Sequence, residues 1–227
     1  MTEAFEVLDD ARLEEARAII GKYPNKHSAM RPLLQLVQSV EGYVTEAGMR
    51  DVARLLDVTP AHVLSSASFY TMFKKRPQGT YLISVCRNLS CTHMGGRKVM
   101  NAFEDRLGIG TGETTADGRF TLEAAECLAT CDGAPSLQIN YEDFYKVTPE
   151  QAGELVDRLE RGDEVRSVRG EVVKTSREIA RETALAGARL PGTAGDHSAR
   201  LIGGETPRAD TAPGFRPKQE LDGGSDA

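Results

Sequence analysis

The sequence predicts an α/β protein in three parts: a helical bundle over residues 1–76, a sheet with helices packed on it over 77–162, and a tail over 163–227. Three observations carry that expectation. Helix signals with almost no strand signals fill the first part, the apolar period changes at Gly79, and periodicity fades into charge beyond Gly162. At 227 residues, with 40% hydrophobic and 27% charged residues, the chain has ordinary globular composition and room for one or two cores.

In the first part, Asp9 and Asp10 precede Leu13, Ala16, Ile19 and Ile20, an apolar stripe at helical spacing that stops at Tyr23-Pro24. Ser28 is placed to cap a second helix burying Leu33, Leu34, Val37 and Val40 and ending at Gly42; Pro32 lies early enough in it to be tolerated. Thr45 caps a third, with Met49, Val52, Leu55 and Leu56 inward. Thr59-Pro60 opens a fourth, the proline standing at the first helical position, where its missing N–H is harmless. Met30, Met49 and Met72 read as core filler. His27 and His62 read as surface residues.

From Gly79 the residues favour strands. Thr80 to Val85 delivers Cys86 at its end, and Gly95-Gly96 leads into a helix with Val99, Met100, Phe103 and Leu107 on one side. Arg119 to Ala125, Ser136 to Asn140 and Phe144 to Val147 follow as strands, the last two joined by a turn through Glu142-Asp143. Thr148-Pro149 then starts a helix with Leu155, Val156 and Leu159 inward. The order β-α-β-β-β-α fits a thioredoxin-like sandwich. Glycines 108, 110 and 112 follow a helix and do not join a strand to a helix start, so they read as a turn and not as a phosphate loop.

Glu164 to Ala186 is charged, with a helix signal around Ser176 to Leu185. Residues 187–227 hold eight glycines, four prolines and one aromatic residue, too little apolar surface to offset their ordering entropy, so disorder is expected there. A net charge of -6 argues against a nucleic-acid partner. No apolar run is long enough for a membrane-spanning helix, and the acidic start Met1-Thr2-Glu3-Ala4-Phe5-Glu6 is unlike a basic targeting segment, so a cytoplasmic location is expected.

The chemistry lies in the four cysteines, Cys86, Cys91, Cys127 and Cys131, which are the only ones in the chain. They form C-x4-C and C-x3-C pairs separated by enough chain for a helix and a strand. That is how a fold brings two ligand loops to one metal centre, and four thiolates suit a 2Fe-2S cluster. Its oxidised form with four thiolates is a dianion and one electron makes it a trianion, so loop N–H groups directed at sulfur are needed to compensate the charge. Gly95, Gly96 and Gly133 are placed for close backbone approach, and Arg87 for positive charge. With sulfur ligands alone and an acidic protein, a low potential is expected, nearer about -400 mV than Rieske values.

Two other chemistries are weaker. Structural zinc usually takes C-x2-C turns, and a dithiol oxidoreductase needs C-x-x-C before a helix; neither spacing is present. His93, two residues past Cys91, reads as a loop residue, because four thiolates already complete the coordination.

Four stretches carry a family resemblance: Ser66-Ala67-Ser68-Phe69-Tyr70-Thr71-Met72-Phe73, Val85 to Cys91, Gly112 to Leu122, and Glu126 to Pro135. In order and spacing they resemble the thioredoxin-like 2Fe-2S ferredoxin component of bacterial respiratory complex I, over about residues 10 to 161. The resemblance implies cluster ligation by Cys86, Cys91, Cys127 and Cys131. It also implies a subunit that takes single electrons from the FMN of an NADH-binding flavoprotein partner, beside a larger iron–sulfur subunit, peripheral on the cytoplasmic face of the inner membrane. The same module serves NAD-linked hydrogenases and formate dehydrogenases. A zinc-stabilised interaction protein is the alternative of another class.

Overall fold

The computed structural model describes residues 5–186 and 188. Apart from Ala188, the stretch 187–227 expected to be disordered lies outside the described residues.

Four helices build the first part: α1 (Asp10–Ile20), α2 (Met30–Glu41), α3 (Glu46–Leu56) and α4 (Pro60–Phe69). The side chains of Asp9, Thr45 and Thr59 accept the N–H groups of Arg12, Gly48 and His62, capping three of them as their sequences require. The start of α2 is different. Asn25, not Ser28, caps a 3-10 turn over Lys26–Ala29, and that turn runs into α2 with no side-chain cap. A helix already preceded by a helical turn finds its first acceptors in that turn's carbonyls, as the Met30 N–H does in His27. Ile19, Leu33, Leu34, Val37, Val52, Leu56, Val63 and Phe73 form the core. Met30 and Met49 join it, but Met72 is 40% exposed. It lies beyond the end of α4, where its sulfur takes a 3.4 Å contact from the Gln35 amide instead of filling the core. The fully buried Asp51 accepts the N–H groups of Glu6, Val7 and Leu8 at 2.8–3.1 Å, fastening the N-terminal segment to α3 and seating Leu8 in the core.

The second part runs β1 (Tyr81–Cys86), α5 (Leu89–His93), α6 (Gly96–Leu107), β2 (Phe120–Ala125), β3 (Leu137–Ile139), β4 (Glu142–Phe144) and α7 (Pro149–Arg161). The sheet order is β2-β1-β3-β4; β1 and β2 are parallel and the other two pairings antiparallel. A parallel pair needs a crossover, which α5 and α6 provide. Ile83, Val85, Phe120 and Leu122 share one core with Val99 and Phe103 of α6 and Val156 and Leu159 of α7. Because Cys86 stands in register with Ala125, both cysteine loops leave the sheet at the same edge.

The β3–β4 turn is not at Glu142-Asp143. It is Asn140-Tyr141, with φ of 48° and 71°, so Glu142 opens β4 and Asp143 is buried within it. Asn140 is among the residues best able to take a left-handed φ, and its buried amide ties three segments. Its Oδ1 accepts the Leu82 N–H at 2.8 Å, and its Nδ2 donates to the carbonyls of Thr80 at 2.9 Å and Lys174 at 2.8 Å.

The chain after Gly162 also departs from expectation. Residues 163–186 pack on both cores and do not behave as a tail. Val165 and Val173 are buried in the core of the second part. Thr175 and Glu178 form a capping box for α8 (Ser176–Leu185), which lies along α2 and buries Ala180 and Ala184. Arg181 donates to the buried Glu15 of α1 at 3.0 Å, and Arg177 donates to the carbonyls of Val40 and Glu41, one of them 2.6 Å away, at the end of α2. The helix is where its sequence signal lies; its partner is three-dimensional. Among the described residues no helix is long and apolar enough to cross a membrane.

Candidate metal centre

The first cysteine loop is built on regular structure. Cys86 ends β1 and is buried; Cys91 is buried in α5. The Asn88 side chain accepts the Leu89 N–H at 2.7 Å to start that short helix, and the Thr92 hydroxyl donates back to the Arg87 carbonyl at 2.8 Å. A Cβ on Gly96 would lie 2.8 Å from the Cys91 carbonyl oxygen, so glycine is what lets α6 sit against the loop. Gly95 has a different role from the one expected. It has φ 99° and no neighbour within 4 Å of a built Cβ, so it serves a left-handed turn and no close approach.

The second loop is more open. Cys127 and Cys131 are exposed, the latter opening a 3-10 turn over Cys131–Gly133. A Cβ on Gly133 would meet the Tyr145 ring at 2.4 Å, so close approach is real here. Arg87 does not lend its charge freely, since it is ion-paired with Glu126. His93 is exposed at the end of α5.

Hydrogen bonds to sulfur cross between the loops. The backbone N–H groups of Asn88 and of Leu128, the latter in the second loop, favour the Cys86 thiolate. Burial pushes the Cys86 thiol above its ordinary range, and these two bonds pull it part of the way back. Burial also pushes Cys91 up, but bonds from the Ser136 hydroxyl and amide and from Cys86 outweigh it, and the thiol sits below its ordinary value. The Ser136 hydroxyl lies 3.4 Å from the Cys91 sulfur and accepts from the Thr130 hydroxyl at 2.7 Å, which leaves its own proton for the sulfur. In the second loop the Ala129 N–H donates to the Cys127 sulfur at 3.3 Å.

Thr130 and Ser136 were not read from the sequence as site residues. Two hydroxyls flanking the last cysteine are the signal in the sequence, but only the folded loop shows that Thr130 donates to Ser136 and that Ser136 meets a sulfur of the other loop.

The donor set fits a cluster held by thiolates: four free cysteines on one edge of the sheet, with N–H and O–H groups directed at their sulfurs. Among the described residues no three His, Cys, Asp or Glu side chains gather as a ready-made metal site. The fit therefore rests on the sulfur-directed bonds across the two loops and not on a closed ligand shell.

A family model for thioredoxin-like 2Fe-2S ferredoxin matches residues 16–160. A component of the NADH-quinone oxidoreductase of Mycobacterium tuberculosis is 50% identical over 150 residues, covering 66% of this chain and 60% of that protein, so the chain spans less than two thirds of that relative's length. A component of the same kind of oxidoreductase from Rhizobium meliloti is 34% identical over 155 residues, covering 68% of this chain and 92% of that protein. An NAD+-reducing NiFe hydrogenase in its H2-reduced state matches with a TM-score of 0.51 at 21% identity, over 57% of this chain and 22% of that one, a likeness of fold alone.

Proposed function

The chain belongs to the thioredoxin-like 2Fe-2S ferredoxins, and from that premise we propose that it is the one-electron relay subunit of an NADH-quinone oxidoreductase. Cys86, Cys91, Cys127 and Cys131 hold the cluster, with the first pair on one iron and the second on the other. When bound, a 2Fe-2S cluster supplies reversible uptake of a single electron. The observation that carries the reading is the bonding across the loops: the Ser136 hydroxyl, which accepts from Thr130, lies 3.4 Å from the Cys91 sulfur.

This chain's own residues then have distinct tasks. Buried Cys86 and Cys91 keep one side of the centre from water, and the N–H groups of Asn88, Leu128 and Ala129 offset thiolate charge. Exposed Cys127 and Cys131 leave the other side open to a partner. NADH gives up two electrons as a hydride, so a flavin on a neighbouring subunit has to split the pair before this chain receives one. In this reading NADH and FMN belong to a flavoprotein subunit, next to a larger iron–sulfur subunit, with the assembly on the cytoplasmic face of the membrane. The hydrogenase likeness, one of fold alone, does not favour that host.

The test is chemical analysis of the purified chain. We expect about two irons and two acid-labile sulfides per chain and a brown colour that dithionite bleaches. NADH added to the isolated chain leaves the colour unchanged. A colourless zinc protein, or rapid bleaching by NADH alone, overturns the proposal.

A further inference from the structure

Beside the cysteine loops lies a groove of about 830 Å³ between the end of α5, the first turn of α6 and the segment 146–149. His93, Arg97, Lys98 and Lys146 line it, Met94 stands at its wall 64% exposed, and no aspartate or glutamate contributes to the lining. Its charge is unusual for a chain with 34 acidic and 28 basic residues. Arg87, Arg106, Arg161, Arg166, Lys174 and Arg181 each have a carboxylate partner. Among the described residues Arg97, Lys98 and Lys146 have none. The acid nearest to Lys146 in sequence, Asp143, is buried in β4, accepts from the Gln138 amide at 2.8 Å and is ion-paired with Arg169, and Glu150 is engaged with the Thr148 hydroxyl.

Two of these cations stand where the fold disfavours them. Arg97 and Lys98 occupy the first turn of α6, which contains no acidic residue, and a cation there opposes the helix dipole. Lys146 has φ 52°, a left-handed conformation that side chains rarely adopt, and its N–H donates at 2.7 Å to the carbonyl of Gly133 in the Cys131 turn. The groove is thus positive, unneutralised and fastened to both cysteine loops.

We propose that this groove docks an acidic polypeptide segment of the redox partner. The proposal rests on the relay reading and names the chemistry of the partner's contact. Carboxylates entering the groove neutralise the three unpaired cations, Met94 supplies an apolar contact at its edge, and the partner is held beside α5 and the Cys131 turn. Such a contact sets orientation and encounter rate and weakens with salt.

The experiment uses the cluster-loaded full chain and a fluorescein-labelled hexaglutamate peptide, followed by anisotropy. Saturable binding is expected at low ionic strength, weakening about tenfold or more near 0.3 M salt. The double variant Arg97→Glu/Lys98→Glu should lose binding at least about tenfold. It places acids where the α6 dipole favours them, so it cannot lose binding by unfolding that helix. Lys146→Gln should weaken binding by a smaller factor. Arg161→Glu, a cation outside the groove lining, should bind like the parent. Peptide that fails to bind the parent, or binds the double variant equally, overturns the proposal. So does inorganic pyrophosphate binding as tightly as the peptide, because the groove is then a small-anion site. Iron and sulfide content separates the two readings: a missing cluster defeats the relay, whereas an intact cluster with no peptide binding defeats only the groove.

Discussion

The two cysteine loops reach the same sheet edge by different physical means. Cys86 and Cys91 belong to a paired strand and a capped helix and are buried by the surrounding chain. Cys127 and Cys131 sit exposed on a loop that passes through a left-handed Ala129, at φ 59°, and a single 3-10 turn. The fold alone constructs the first half of the site. The second half is held by a few hydrogen bonds, so it should depend far more on what its cysteines ligate.

Replacing single cysteines gives the largest expected effects. Ser at Cys86, Cys91, Cys127 or Cys131 should abolish or severely deplete iron and sulfide in every case. The contrast appears in the cluster-free chain. Cys86→Ser and Cys91→Ser should cost about 1–3 kcal/mol by urea unfolding, since each buries a stronger polar group, whereas the exposed pair should cost almost nothing. Equal costs at all four positions would remove the distinction between the loops.

Glycine replacements come next. Gly96→Ala should destabilise the chain by about 1–3 kcal/mol and lower cluster content, because the new methyl meets the Cys91 backbone carbonyl, which cannot move without moving the ligand. Gly133→Ala meets the Tyr145 side chain instead, and adding Tyr145→Ala should restore much of the loss. Thermal melts and iron analysis of the three variants decide this. Rescue at Gly133 with none available at Gly96 sharpens the difference between a loop fixed by backbone and one fixed by a side chain.

Ser136→Ala tests the bond that spans both halves. It should retain the cluster but shift its potential to a more negative value, since Cys91 loses a donor that offsets the added electron. A redox titration followed by electron paramagnetic resonance reads that shift. An unchanged potential would mean that the hydroxyl is structural only.

The smallest expected effect is a reference outside both loops. Thr175→Ala should cost about 1 kcal/mol through its cap on α8 while leaving iron content and potential unchanged. Hydrogen bonds from the Thr175 hydroxyl and amide hold the Glu178 carboxyl below its ordinary value. A depressed folded-state pKa stabilises above the unfolded value and is lost as pH falls through the folded one. The parent should therefore lose this contribution below the usual carboxylate range, and Thr175→Ala should show a smaller loss over the same interval. Parallel acid titrations by circular dichroism check it.

Much of this was legible in the residues because it depends on neighbours in the chain. Asp9, Thr45, Thr59 and Thr148 cap the helices that follow them, since a cap needs only an acceptor two or three residues before a free N–H. Helical period places Leu13, Ala16 and Ile19 of α1, Leu33, Leu34 and Val37 of α2, Met49, Val52 and Leu56 of α3, Val99 and Phe103 of α6 and Val156 and Leu159 of α7 in the cores, whereas Val40 is only half-buried and Leu36, outside the stripe, is fully buried. Ser28, Met72 and Glu142-Asp143 misled for a common reason: each has the right local chemistry, but a 3-10 turn, a helix end and the buried Asn140 amide decide its place.

Taken alone, the sequence determined the cysteine inventory and spacing, the order of strands and helices, and the family that they resemble. Only the tertiary structure decided that β1 and β2 run parallel in the register that puts both loops on one edge. It alone set Leu128 and Ser136 against sulfurs of the opposite loop, and returned α8 to the helical bundle across more than a hundred and thirty residues of intervening chain. Strand direction, cross-loop hydrogen bonds and helix docking are interactions between residues remote in sequence, and no local propensity encodes which remote partner a segment will meet.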